Sequence, residues 1–524
     1  MTSPVRRWLA PAAERHGART AVVHGDDRAT YAELWRDALE LAHALLPHLD
    51  DDRRRPIAIA SPKSIAAVTA ILAVQLTGRI FVPIDVNSPP ERQALMRRRL
   101  GEPHWLEPAA DGGFLLDGAL LPLDDDVAAL DDGALAGLLV EWAPQPQPGD
   151  PLYILFTSGT TGIPRGVTIH HAAAINYIEW AVATFEIDCD EVIGNQSPMF
   201  FDHFIFDLFV TLATGCVLHL IPERCFRFPG ELAAYLLERR ITLTFFVPAV
   251  YRALEAFDLL DVEDDLPRKM LFAGEAMPLK TIRWLRRRRP RALLANLYGP
   301  AEATVDVTCW IFGDELATLT ETPIGKPCAD ARILLVDDDR NLLTGAGKVG
   351  EIAIGGPGVG LGYWNDMQAT RRVFVQNPEH DAYRETFYLT GDLGYRSEAD
   401  GLLYLVGRKD RQFKHLGQRI EAGEIEHAVL EIPGTERCII RYDDDRRRIV
   451  AFIARSEPLG AVAWRRRLGD RLPPYMIPGV TMEWTDFPKL PNGKTDHGRL
   501  WKAYQDAHQG ETRLGADAEK GVAQ

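Results

Sequence analysis

Residues 152–171, LYILFTSGTTGIPRGVTIHH, bring together the residue types that hold an anion. Tyr153, Ile154, Leu155 and Phe156 form an apolar, β-branched and aromatic run that reads as a buried strand. The run passes into Thr157, Ser158, Gly159, Thr160, Thr161 and Gly162, then Arg165 and Gly166. Glycines let backbone N–H groups crowd an anion, hydroxyls add donors, and the cation neutralises charge. That chemistry suits a phosphate-bearing ligand; the alternative is an ordinary Gly/Thr turn after a strand. The nucleotide loop G-x-x-x-x-G-K-(S/T) does not occur in the chain.

Other segments offer single reactive groups at turns. NLYGPAEAT, residues 296–304, ends a strand and presents Glu302, and YLTGD, residues 388–392, does the same with Asp392. GRKDRQFKHLGQRIEAGEIE, residues 407–426, reads as a turn, a basic strand and an acidic helix start. KLPNGK, residues 489–494, places Lys494 on a tight Asn-Gly turn. In FDHFIF, residues 201–206, Asp202 stands among apolar neighbours. A carboxylate there is costly unless partnered, and a ligand ammonium is a sound partner; the other reading is a helix N-cap.

The elements that must position these groups follow from pattern. Residues 1–48 read as helices around a short strand, with Thr30 to Leu34 as a capped helix start. Strands at 56–60 and 81–85 flank a helix over 64–76, a βαβ order that predicts a parallel sheet. Residues 101–150 read as an irregular acidic loop. Strands at 217–221, 244–247, 270–273 and 293–298 then alternate with helices, and the basic run 284–291 reads as a solvated helix end. From about residue 324 the texture is all-β, consistent with a small sheet or barrel, and a compact α+β unit follows to about Tyr504.

Composition narrows the class. A length of 524 residues implies several domains, and 46% hydrophobic with 25% charged residues is ordinary for a globular protein. A formal charge of -15 without a basic-rich domain argues against nucleic acid as the main partner. Six scattered cysteines with no metal-ligand spacing fit a reducing cytoplasm, with neither a disulfide framework nor a zinc site. No secretory h-region and no membrane-spanning run is present, so no membrane is expected as a partner.

Taken together and in order, these motifs resemble the adenylate-forming superfamily, specifically the amino-acid adenylation domains of nonribosomal peptide synthetases. The resemblance runs from VPID at 82–85 to Lys494 and includes PPYMIP at 473–478. It implies an α/β fold: a large N-terminal core, residues 1–408, of two βα-layered sheets plus a small β-barrel. A small mobile α+β domain, 409–504, and a disordered tail, 505–524, would follow. The implied reaction is a carboxylate plus ATP giving acyl-AMP and pyrophosphate, then thioester formation on a phosphopantetheine thiol. The cofactors implied are ATP and Mg²⁺.

Residue by residue, the resemblance places Thr157 to Gly162 and Arg165 over the β- and γ-phosphates. Arg165 stands where the family usually has lysine, and Ala301 where it usually has threonine. Glu302 matches the Mg²⁺-binding carboxylate, Asp392 the ribose-hydroxyl acceptor assisted by Arg408, and Tyr298, beside Gly299, the aromatic near adenine. Lys494 matches the lysine bridging substrate carboxylate and α-phosphate, and Asp410 the hinge. For the acyl pocket it gives Asp202, His203, Phe206, Phe245, Leu271, Ala273, Leu297, Val305 and Asp306. Two phenylalanines would shorten the cavity for a small side chain such as that of serine, alanine or glycine. Asp306 would accept from a hydroxyl or second amine. No carrier or condensation motif accompanies the core, which implies a stand-alone cytoplasmic ligase serving a separate carrier protein, like D-alanine- or prolyl-activating enzymes. An acyl- or aryl-CoA ligase, or an enzyme for a β-amino or cyclic imino acid such as proline, is the alternative.

Overall fold

The computed structural model describes residues 3–110, 112–122, 127, 129–143, 145–159, 163–260, 265–489 and 495–508. The chain divides into two compact units. The first holds Met1–Val86, Arg97–Phe156 and Gly166–Lys409; the second holds Asn87–Met96, Thr157–Arg165 and Asp410–Gln524.

In the first unit, six parallel strands form the centre of a nine-stranded sheet, in the order Leu293–Tyr298, Lys269–Phe272, Leu243–Phe246, Val192–Asn195, Val217–Leu220, Thr20–His24. Antiparallel strands close both edges. An eight-stranded sheet is built around Ile57–Ala60, Phe81–Ile84 and Pro151–Thr157, paired parallel as the βαβ pattern predicts. The helix Ile65–Leu76 is apolar on every side and buried along nearly its whole length, as a helix covered from all directions must be. Thr30 caps the helix Tyr31–Leu45 through a reciprocal bond with Glu33, the capped start expected there. The third layer is a five-stranded antiparallel sheet containing Arg332–Val336, Gly350–Gly355, Thr386–Arg396 and Leu403–Arg408, and it stands where the small barrel was expected.

Residues 101–150 depart from the irregular loop expected. His104–Pro108 adds a parallel strand to the eight-stranded sheet, and Asp132–Trp142 is a helix whose N-cap, Asp131, accepts the Ala134 N–H at 2.8 Å. Leu135 and Leu139, one turn apart, bury its inner face. The acidic composition of the stretch masked that spacing.

The second unit pairs the hairpin Gln412–His415 and Gln418–Glu421 with the helix Ala422–Leu430 and a three-stranded sheet. Trp464, Leu468 and Ile425 pack one face of that sheet, and Leu500 and Tyr504 the other. The final helix runs His497–Ala507, so the segment expected as a tail from 505 begins inside a helix, held by burial of Leu500 and Tyr504. The rest of that expected tail, from 509, lies outside the described residues.

Candidate active site

Tyr298 and Glu302 stand at and just beyond the carboxyl end of a parallel strand, where open α/β sheets place their ligands, whereas Asp392, expected to end a strand, lies inside the antiparallel strand Thr386–Arg396. Tyr298 ends the strand Leu293–Tyr298, and its hydroxyl donates to Asp392 Oδ2 at 2.6 Å. Asp392 lies opposite Arg408 across an antiparallel pair, and the guanidinium donates to Asp392 Oδ1. A second guanidinium nitrogen donates to the Thr390 carbonyl at 3.1 Å, which fixes the fork. Burial, then the Asp392 charge, hold the Tyr298 phenol well above its ordinary range, so it stays a neutral donor. Tyr298, expected as a stacking aromatic, is thus tied by its hydroxyl to the carboxylate expected to hold ribose.

After Tyr298 the chain turns sharply. A side chain at Gly299 would lie 2.2 Å from the Val305 carbonyl oxygen and 2.4 Å from Asp306 Cα, so only glycine allows the fold-back. The turn delivers the short helix Ala301–Ala303 and then two β-branched residues in the left-handed region, Thr304 at φ 65° and Val305 at φ 64°. Such conformations cost roughly 1–3 kcal/mol each and persist only where surroundings impose them. Here Thr304 Oγ1 donates to the Gly358 carbonyl at 2.7 Å, and the Glu302 carbonyl accepts the Gly360 N–H at 2.8 Å. Glu302 is wholly buried, and the Tyr363 hydroxyl donates to its Oε1 at 2.8 Å.

A single oriented, buried carboxylate fits a hard divalent cation that takes most of its ligands from phosphate and water, as Mg²⁺ does. Among the described residues no group of three or more His, Cys, Asp or Glu side chains could hold a metal by itself. A metal at Glu302 would therefore arrive with a phosphate ligand.

Of the glycine-rich loop, Thr157, Ser158 and Gly159 are described; Thr160, Thr161 and Gly162 lie outside the described residues. A Cβ at Gly159 would sit 2.0 Å from the Ile163 carbonyl oxygen, which restricts the position to glycine. Within the second unit the Gly159 N–H donates to Glu424 Oε2 at 3.2 Å, and Arg92 pairs with the same carboxylate. Ser158 Oγ donates to the Arg419 carbonyl at 2.8 Å and accepts the Glu421 N–H at 3.0 Å. The Gly159 amide expected to meet a phosphate is here engaged by the Glu424 carboxylate. Arg165, half-buried, starts the strand Arg165–His170. Lys494 lies outside the described residues, and Asp410 is the first residue of the second unit's main segment.

The acyl-pocket residues converge on the helix Asp202–Thr214 and the adjoining strand ends. Asp202 is the first residue of that helix, not its N-cap, which is Phe201; Asp202 Oδ1 accepts the His203 N–H at 2.9 Å. Burial first, and then the half-buried Asp202 carboxylate, raise the Tyr153 phenol; the Tyr177 phenol is raised by burial and then by Asp306, with Asp202 the smallest cause. His203 stacks on Phe245 with ring centres 4.3 Å apart, and Phe206 meets Phe245 edge-on at 4.9 Å. Phe245 is in register with Leu271 on the next strand; Ala273 follows that strand, and Leu297 and Val305 are buried at the one beyond. Asp306 is buried, and the Tyr177 hydroxyl donates to its Oδ2 at 2.7 Å. The acceptor expected for a substrate hydroxyl or amine is therefore already engaged by a phenol. Phe206, Phe245, Leu271, Ala273, Leu297 and Val305 are all buried and apolar.

Tyr177, Tyr363 and a buried polar chain behind the pocket were not singled out in the sequence. In that chain Lys63 Nζ donates to Asn195 Oδ1 at 3.0 Å, and Asn195 Nδ2 donates to Asp207 Oδ2 at 2.8 Å. Burial pushes the Asp207 carboxyl up to about 8, against opposing shifts from the Asn195 bond and the Lys63 charge. The folded chain then keeps a proton that the unfolded chain releases near pH 4, so this group lowers stability as pH rises toward about 8. Asp207→Asn is expected to remove that slope. The Tm difference between variant and parent should grow in the variant's favour from pH 5 to pH 8, and parallel profiles would refute it.

Comparison with known proteins places this geometry. The family model described as AMP-binding enzyme matches residues 9–364. The chain belongs to the AMP-binding enzyme family. It is 32% identical over 524 residues to L-proline--[L-prolyl-carrier protein] ligase of Streptomyces coelicolor, covering 95% of this chain and 96% of that one. Identity to D-alanine--D-alanyl carrier protein ligase of Bacillus anthracis is 30%, over 92% of this chain and 96% of the relative. Tyrocidine synthase 2 of Brevibacillus parabrevis is 32% identical over 94% of this chain, which spans only 13% of that protein's length. Among solved structures, holo-PA1221, an NRPS protein containing adenylation and PCP domains, superposes with a TM-score of 0.79 at 25% identity, over 96% of this chain and 84% of that one.

Proposed function

We propose that this protein activates a small amino acid with ATP and passes it to the phosphopantetheine thiol of a separate carrier protein in the cytoplasm. The observation that carries the reading is the presence, in one unit, of Asp202 among apolar neighbours and of the Tyr298–Asp392–Arg408 cluster. The relatives whose names specify prolyl- and D-alanyl-carrier ligases support it. In the first step a substrate carboxylate oxygen bonds to the α-phosphorus, and the bond to pyrophosphate breaks. In the second, the thiolate sulfur attacks the acyl carbonyl, and AMP departs with the bonding pair of its ester oxygen.

Asp202 holds the ammonium and so presents the carboxylate in one orientation. Asp392, itself set by Tyr298 and Arg408, accepts from the ribose. The resemblance assigns the outer phosphates to the glycine-rich loop and Arg165, which requires the Gly159 N–H to exchange Glu424 for a phosphate oxygen. Donors aimed at developing charge supply most of the acceleration. A Mg²⁺ carried in by the triphosphate would be held by Glu302 and would offset phosphate charge. Lys494 neutralises charge between the substrate carboxylate and the α-phosphate.

Amino-acid-dependent ATP–pyrophosphate exchange over a panel of small, D-, β- and cyclic imino acids, with deaminated analogues alongside, tests the assignment. Exchange with deaminated acids but not amino acids would make the protein an acyl-CoA-type ligase instead. Lys494→Ala is expected to reduce adenylation by about 10²-fold or more while sparing thioester formation from supplied aminoacyl-AMP. Equal losses in both half-reactions would remove Lys494 from its role.

A further inference from the structure

Between residues 283 and 291 stand six arginines, in a chain whose formal charge is -15. Two are already engaged: Arg288 pairs with Asp258 at the surface, and the buried Arg289 donates to the Leu266 carbonyl at 2.6 Å. The other four, Arg283, Arg286, Arg287 and Arg291, line one cleft of about 780 Å³.

Two of these guanidiniums are fixed by backbone oxygens. Arg283 donates to the Leu319 carbonyl at 2.6 Å, and Arg286 to the carbonyls of Ala292 at 2.7 Å and Phe312 at 2.8 Å. Carbonyl partners orient a cation without cancelling its charge. Asp314 also lines the cleft, and Asp314 and Glu315 both act on Arg286, so two of the four positive charges are offset. Arg287 and Arg291 are exposed, and no ion pair to either occurs among the described residues. The remaining wall is apolar, and Ile311 within it is 40% exposed. Leu293, also on the lining, opens the strand that Tyr298 ends, so the cleft lies at the opposite strand end, about 17 Å from the nucleotide cluster.

We propose that this cleft docks an acidic peptide segment of a partner protein, with an apolar side chain seated beside Ile311. An inorganic anion would leave the apolar wall unused. Nucleic acid fits poorly: the nearby rings that could stack on bases, Phe312 and Trp284, are 3% and 6% exposed, and the rest of the surface is acidic. A cationic patch on an acidic protein also concentrates encounters with an acidic partner at a single face.

The test uses the full chain and a short fluorescein-labelled peptide of aspartate and glutamate with two leucines, followed by fluorescence anisotropy. Saturable binding is expected. It should weaken about 10-fold or more in the double variant Arg287→Glu, Arg291→Glu, and also on adding salt. Ile311→Ser should weaken it separately, and both variants should keep ATP–pyrophosphate exchange. No saturable binding, unchanged binding in the double variant, or equal binding when serines replace the leucines would overturn the proposal. Tighter binding of a single-stranded oligonucleotide of equal charge would overturn it in favour of nucleic acid.

Discussion

Asp392→Ala is expected to lower amino-acid-dependent ATP–pyrophosphate exchange by about 10²- to 10³-fold, the scale of losing an oriented charged contact at a reacting nucleotide. The reason is local. The Asp392 carboxylate is the common partner of the Tyr298 hydroxyl and the Arg408 guanidinium. Truncation strands both donors, and a cation left without its partner in a mostly buried site costs up to about 3–5 kcal/mol. Stability should therefore fall together with activity. Two further variants separate the effects. Asp392→Asn keeps the shape and one acceptor, so Tm should recover substantially more than exchange does. Tyr298→Phe removes only the hydroxyl, and should cost about 10-fold in exchange, appearing mainly in KM for ATP. If Asp392→Asn restored full exchange, the charged contact to the ribose would not exist.

The second large effect concerns the amino group. Asp202→Ala should reduce exchange with the preferred amino acid by about 10²-fold or more, because a charged hydrogen-bonded contact to the ammonium is lost. Deaminated acids should gain relative to amino acids, since the carboxylate no longer selects for a cation. The measurement is kcat/KM for the matched amino and deaminated acids in parent and variant. A uniform loss for both would mean that Asp202 merely starts its helix, where an acidic first-turn residue contributes about 0.3–1 kcal/mol through the helix dipole.

Part of this arrangement was legible from residues alone, because Tyr298 ends an apolar strand at a turn that leads to Glu302. Glu302 follows that turn, whereas Asp392, expected to end a strand, lies inside Thr386–Arg396 because the strand continues through Gly391 at φ 74°. Their partners were not legible. Tyr363 reaches Glu302 from 61 positions away, and Tyr177 reaches Asp306 from 129. No spacing rule connects residues so far apart; only the packing of a helix and a strand from different sheets brings them together. The left-handed pair Thr304 and Val305 was invisible for a different reason. β-branched residues ordinarily favour extended backbone, and tertiary contacts here override that preference. The helix Asp132–Trp142 was obscured by acidic composition although its cap and its Leu135–Leu139 spacing were present.

The bond between Tyr298 and Asp392 joins residues from two different sheets, the nine-stranded one and the antiparallel five-stranded one. Acyl-pocket residues, by contrast, stand on neighbouring strands of one sheet and on a single helix. A relative shift of the two layers would break the Tyr298–Asp392 bond, whereas substitutions at the proposed pocket residues act within one layer. A laboratory campaign to change the accepted acid should therefore draw its library from Phe206, Phe245, Leu271 and Leu297, and leave the seam between the layers intact.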